Sequence, residues 1–149
     1  MTWPGLVAWA LPLPGQGFTL LLQRHRPDGR GQSYMFTHDP SGLNVSCYIE
    51  PVERCTTSEA CRAAYWAEPS PVVKRAQDVR FFEHRGFAVI AFLVPEFQGQ
   101  PVRQFDFSVH QVRDGYWIDL HISKVRFQPA DRQTFLGVLE AVTFAPKPR

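Results

Sequence analysis

Residues 103–124 read Arg103-Gln104-Phe105-Asp106-Phe107-Ser108-Val109-His110-Gln111-Val112-Arg113-Asp114-Gly115-Tyr116-Trp117-Ile118-Asp119-Leu120-His121-Ile122-Ser123-Lys124. Asp-Gly between two alternating runs is the signal of a two-residue type I′ hairpin turn. Such a loop sets 113 opposite 116, and therefore 112 opposite 117, 110 opposite 119 and 108 opposite 121. In this register Phe107 meets Ile122 and Val109 meets Leu120. A slip by one residue sets Val109 against Asp119 and mixes the faces. One side of the hairpin is then apolar: Phe105, Phe107, Val109, Ile118, Leu120 and Ile122. The other carries Asp106, Ser108, His110, Asp119, His121 and Ser123.

The segments around this hairpin are short and separated by Pro and Gly, as in a strand-rich chain. Leu6 to Leu13 and Phe18 to Gln23 read as strands around the turn at 14–17, followed by a loop over 24–32. Tyr34 to His38 and Leu43 to Glu50 read as a hairpin across Asp39-Pro40-Ser41-Gly42. Its second strand sends Leu43, Val45, Cys47 and Ile49 to one face and Asn44, Ser46, Tyr48 and Glu50 to the other. Ser58 reads as the N-cap of a short helix through Trp66, with Cys61, Ala64 and Tyr65 packed on the sheet. Val79 to His84 and Phe87 to Val94 follow as strands. The second is apolar on both faces, the pattern of a strand covered from both sides. A loop is expected over 95–101. Pro129 can open a last helix with Phe135, Leu136 and Leu139 as its buried stripe, and Val142 and Phe144 suggest a final strand. The order predicts one α+β domain over 1–149, with a mainly antiparallel sheet, a four-strand meander and two helices.

Composition narrows the class. The 149 residues are 44% hydrophobic, 13% aromatic and 20% charged, which excludes a disordered tail, a collagen-like chain and a coiled coil. A net charge of +2 without runs of like charge points to no nucleic-acid partner. No apolar run reaches the ~18 residues of a membrane span. The start, Met1 to Gly5, lacks the charged and apolar regions of an export signal. That leaves a cytoplasmic chain, or a periplasmic one whose leader has been removed. Of the three cysteines, Cys47 alternates with apolar residues and reads as buried. Cys55 and Cys61 are either two free thiols or a small disulfide loop, depending on redox compartment. Asn44-Val45-Ser46 matches a glycosylation acceptor but falls inside a strand.

The element order is similar to the PsbP-like superfamily, on local matches at Pro14-Gly15-Gln16-Gly17-Phe18, at Gly42-Leu43-Asn44-Val45-Ser46, at residues 99–104 and at residues 117–124. The resemblance implies an α/β/α sandwich and an accessory, binding or chaperone role, as in the DcrB-type bacterial proteins. It carries no functional residue onto this chain.

No motif names an activity. No phosphate loop, nucleophile elbow or metal-binding spacing occurs, so no catalytic residue, metal ligand or cofactor is assigned. The candidate binding residues are His110, Asp119, His121, Ser108, Asp106, Ser123 and Trp117. A carboxylate beside an imidazole raises its pKa and can set up proton transfer. The same residues can also simply be the hydrogen-bonded polar face of an antiparallel sheet. Tyr65, Trp66 and Trp117 could rim a site or anchor packing. The leading expectation is a small non-enzymatic binding or accessory protein that presents a sheet-and-helix groove to a protein or small molecule, with self-association open. The alternatives are a hydrolase-like enzyme built on His110, Asp119 and His121, and a chaperone or secretion partner that holds apolar segments.

Overall fold

The computed structural model describes residues 6–10, 18–25, 31–68, 70–71, 73–141 and 143–146. In the turn between residues 113 and 116 Asp114 and Gly115 both take left-handed backbone, with φ 52° and 80°, as the two middle positions of a type I′ turn require. Strands β7 (Gln100–Arg113) and β8 (Tyr116–Lys124) therefore pair as expected: His110 faces Asp119, Ser108 faces His121 and Val109 faces Leu120.

The other main strands are β2 (Phe18–His25), β3 (Gln32–His38), β4 (Leu43–Pro51), β5 (Gln77–His84) and β6 (Phe87–Phe97). Among the described residues they form one seven-stranded sheet in the order β2-β3-β4-β8-β7-β6-β5, antiparallel at every contact. The expected four-strand meander is its β5–β8 half. The hairpin β2–β3 and strand β4 extend it, because β4 docks on the free side of β8 with Val45 against Ile122.

Two helices lie on opposite faces. On one face Phe135, Val138 and Leu139 of α2 (Asp131–Ala141) close a core with Leu43, Val45, Cys47, Phe105, Phe107, Val109, Ile118, Leu120 and Ile122. Phe135 sits edge-on to both Phe105 and Phe107. On the other face Tyr65 and Trp66 of α1 (Ser58–Ala67) pack on Ile90, Phe92 and Val94. Strand β6 is thus covered from both sides, and Val89 and Ile90 are fully buried. Helix α1 covers β6 and β7 and stops short of β3 and β4, where Tyr48 and Met35 on the same face stay exposed.

Several expectations are corrected. Strand β1 (Leu6–Ala10) does not pair with β2; it forms a separate two-stranded ribbon with β9 (Thr143–Pro146). Residues 11–17 and Val142 lie outside the described residues. Strand β2 runs on to His25 and β3 starts at Gln32, so the expected loop over 24–32 loses both ends. Pro95 to Pro101 is not a loop. Both strands continue through it to a tight turn at Gln98 and Gly99, which carry φ 51° and 77°. Pro95 is tolerated because the pairing shifts register between Val94 and Glu96. The cap of α1 is Thr57, whose Oγ1 accepts from the Ala60 amide at 3.1 Å. Ser58 instead accepts from the Val112 amide at 3.0 Å and so ties the helix start to β7. Ala64 is exposed rather than packed. Pro129 occupies the turn before α2, which begins at Asp131.

Candidate binding site

His110 has no exposed surface, nor has Ser108, and Asp106 keeps 8%. A polar row this deep must satisfy itself. The Trp117 indole N–H donates to His110 Nδ1 at 3.1 Å. An indole can only donate, so Nδ1 is unprotonated and the ring proton sits on Nε2. Nε2 lies 2.8 Å from Ser108 Oγ and donates to it. The Tyr65 ring roofs the patch, its centroid 5.1 Å from that of His110 and 5.3 Å from that of His121. Burial lowers the His110 pKa to about 4 against the attraction of Asp119, with His121 and Arg62 adding to the depression. Its imidazole is neutral. Tyr65 is pushed up to about 12, by burial first and then by Asp119.

Asp119 and His121 behave differently because they stand at the margin of α1. Their side chains keep 16% and 20% of their surface, and His121 Nε2 lies 2.8 Å from Asp119 Oδ1. Burial works against the His121 charge, but the adjoining Asp119, helped by Asp106, carries the pKa above its ordinary value. The pair is ionic. Yet Oδ1 of Asp119 is closed to solvent and receives no aligned hydrogen bond, and His110 Nδ1 is 3.8 Å from it. Asp106 is held by Gln104 Nε2 at 3.1 Å from each carboxylate oxygen. Burial raises its pKa to about 6 against the pull of Gln104 and His121. Ser123 stands opposite Asp106 at the far end of the row.

The seven residues expected to share a face do so, in two unlike groups. His110, Ser108 and Asp106 are interior; Asp119, His121, Ser123 and Trp117 are partly exposed. Trp117 joins the two. Beyond its bond to His110 it lines an open cleft of about 360 Å³ with Glu50, Pro51, Glu53 and Arg54. The last four were not anticipated, since only the β4–β8 pairing, which sets Glu50 opposite Trp117, brings them there. Tyr48 was also missed; its ring lies edge-on to His121 at 6.2 Å. The alternation of β4 had placed Tyr48 on the polar face but could not say which strand lay beside it. Trp66 is set apart from the row, edge-on to Phe81 at 6.0 Å.

Cys55 and Cys61 form a disulfide. It ties the lip of the cleft, Glu53 and Arg54, to the first turn of α1. Cys47 is free and buried, and burial pushes its thiol pKa well up. Among the described residues no three His, Cys, Asp or Glu side chains group as metal ligands, and no helix is long and apolar enough to cross a membrane. Compared with known proteins, the chain matches no family model and no curated sequence.

Proposed function

We propose that this α+β chain is a non-enzymatic binding protein whose ligand surface is the Trp117 cleft, continued along the Asp119–His121 margin of α1. The observation that carries the reading is the burial of His110. Its two ring nitrogens are taken by Trp117 and Ser108, and Tyr65 closes the space above it. An acid/base pair of histidines needs both imidazoles within reach of a substrate, and only His121 has exposed surface here. The cleft sets the Trp117 indole beside the charged side chains of Glu53 and Arg54, which suits a small molecule or peptide with a flat apolar group and polar ends.

Isothermal titration with three blocked amino-acid amides, one aromatic, one cationic and one anionic, tests this. We expect saturable binding of at least one, lost in Trp117→Ala and kept in His121→Ala. Turnover of p-nitrophenyl acetate that disappears in His121→Ala would instead establish the hydrolase-like alternative. The chaperone alternative has less support. Among the described residues the large exposed apolar side chains are Leu20 and Leu21 on β2, Met35 on β3, Tyr48 on β4, Phe81 on β5, Phe97 at the end of β6 and Val125 after β8, so they are spread along the sheet rather than gathered on one element.

The resemblance to PsbP-like proteins supports the same accessory role. The Cys55–Cys61 bridge favours an oxidising compartment such as the periplasm over the cytoplasm.

A further inference from the structure

We infer that His110 and Trp117 form a proton-operated latch: one proton on Nδ1 of His110 moves that nitrogen from Trp117 to Asp119 and releases the indole into the cleft. In the neutral ring Nδ1 is an acceptor and takes the Trp117 N–H at 3.1 Å. Once protonated, Nδ1 carries a hydrogen of its own, and two N–H groups cannot face each other across that distance. The new donor has one destination already in place. Asp119 Oδ1 is 3.8 Å from Nδ1 and closed to solvent; it already lies 2.8 Å from His121 Nε2, but that contact is not aligned as a hydrogen bond. A modest turn of either side chain converts this near-contact into a charge-assisted bond.

The surroundings bias the choice without removing it. On β7, His110 has Asp106 and Ser108 as neighbours. Strand β8 presents Asp119, His121 and Trp117, and α1 presents Tyr65 and Arg62. Strand β6 places Ala88 opposite, and its one titratable residue, Glu96, pairs with Pro101 at the other end of β7. Strand β4 reaches the row through Tyr48, against His121. Asp119 favours the added proton, while burial, His121 and Arg62 oppose it, so the latch stays closed at neutral pH and opens in acid. Because Trp117 is a wall of the cleft, the proton on a fully buried imidazole is read at the surface. This inference rests on the binding reading only for its use; the latch itself is tested without ligand.

The experiment is nitrogen-15 NMR of the whole chain from pH 7 to pH 3.5, following the imidazole of His110 and the indole N–H of Trp117. At neutral pH we expect the Nε2–H tautomer of His110. On acidification the Trp117 indole signal shifts with the same midpoint as His110, while the other three indoles stay in place and the far-ultraviolet dichroism is unchanged. In His110→Gln the amide oxygen keeps accepting from the indole, and the Trp117 shift disappears. If that variant does not fold, Asp119→Asn serves, and the shared midpoint of His110 and Trp117 moves to lower pH. The latch is overturned by an Nδ1–H tautomer at neutral pH, by a Trp117 signal that stays still while His110 titrates, or by all indoles moving together as the chain unfolds. Binding of an amide probe is a separate readout: its absence with the latch intact counts against the binding proposal alone.

Discussion

His110 and Asp119 stand directly opposite one another in the β7–β8 ladder, yet imidazole and carboxylate stay 3.8 Å apart. The cross-strand position brings them together; the Trp117 indole takes the ring nitrogen that would have closed the gap. Asp119 turns to His121 instead, at 2.8 Å. One carboxylate beside two imidazoles thus raises the pKa of one histidine, while burial holds that of the other down at about 4.

The two buried titratable groups of β7 oppose each other in acid. His110 has an ordinary pKa of 6.5 and a folded value of about 4, so the unfolded chain binds the extra proton and stability falls as pH drops through that window. Asp106 has an ordinary value of 3.8 and a folded value of about 6, so the folded chain binds the extra proton and stability rises over nearly the same window. Each effect is worth about 3 kcal/mol, and together they nearly cancel. Urea unfolding between pH 6.5 and 4 should therefore show stability rising by about 3 kcal/mol in His110→Gln and falling by about 3 kcal/mol in Asp106→Asn.

The Asp119–His121 pair acts at the alkaline end. A histidine whose folded pKa is raised contributes its stability below the ordinary 6.5 and loses it as pH climbs through the folded value. Asp119→Asn should remove this alkaline decline. It should also drop the His121 midpoint below 6.5, because burial, which lowers it, is then the largest influence left. Proton NMR of the imidazole gives the midpoint, and a value still above 6.5 would refute the assigned cause.

Reducing the Cys55–Cys61 bridge, or replacing both cysteines with serine, should cost roughly 2 kcal/mol in the chain-entropy account of a short closed loop. The loss should also weaken ligand binding in the cleft, since the bridge holds the Glu53–Arg54 lip. Thermal unfolding with and without dithiothreitol measures the first effect, and titration of the amide probes the second.

Thr57→Ala and Ser58→Ala separate the two hydroxyls at the start of α1. Loss of the cap should cost about 1 kcal/mol. Loss of Ser58 leaves the Val112 amide without its acceptor and should cost about 1–3 kcal/mol. Chemical denaturation ranks the two, and a larger loss in Thr57→Ala would reverse the assignment.

The hairpin at 103–124 could be read because its information is local. Asp114-Gly115 fixes the turn, alternation fixes the faces, and together they place His110 opposite Asp119. Strand β4 could be read as a strand but not as the neighbour of β8. Its partner is chosen by burial of Val45 and Cys47 against residues far along the chain, and no local signal carries that. The Glu50–Glu53–Arg54 side of the cleft and the Tyr48 contact were hidden for the same reason. The errors at Thr57 and at residues 95–101 are of another kind. Thr and Ser are near-equal caps in sequence, and a proline in an irregular strand looks like a proline in a loop.

The four strands of the meander follow one another in the chain, each joined to the next by a short reversal. They can assemble by nearest-neighbour zipping, whereas β4 has to find β8 across α1 and the whole meander. Loop-closure entropy makes that second step the slow one. Mutations at the Val45–Ile122 contact should then retard folding, while those within the meander change how fast an early half-sheet appears.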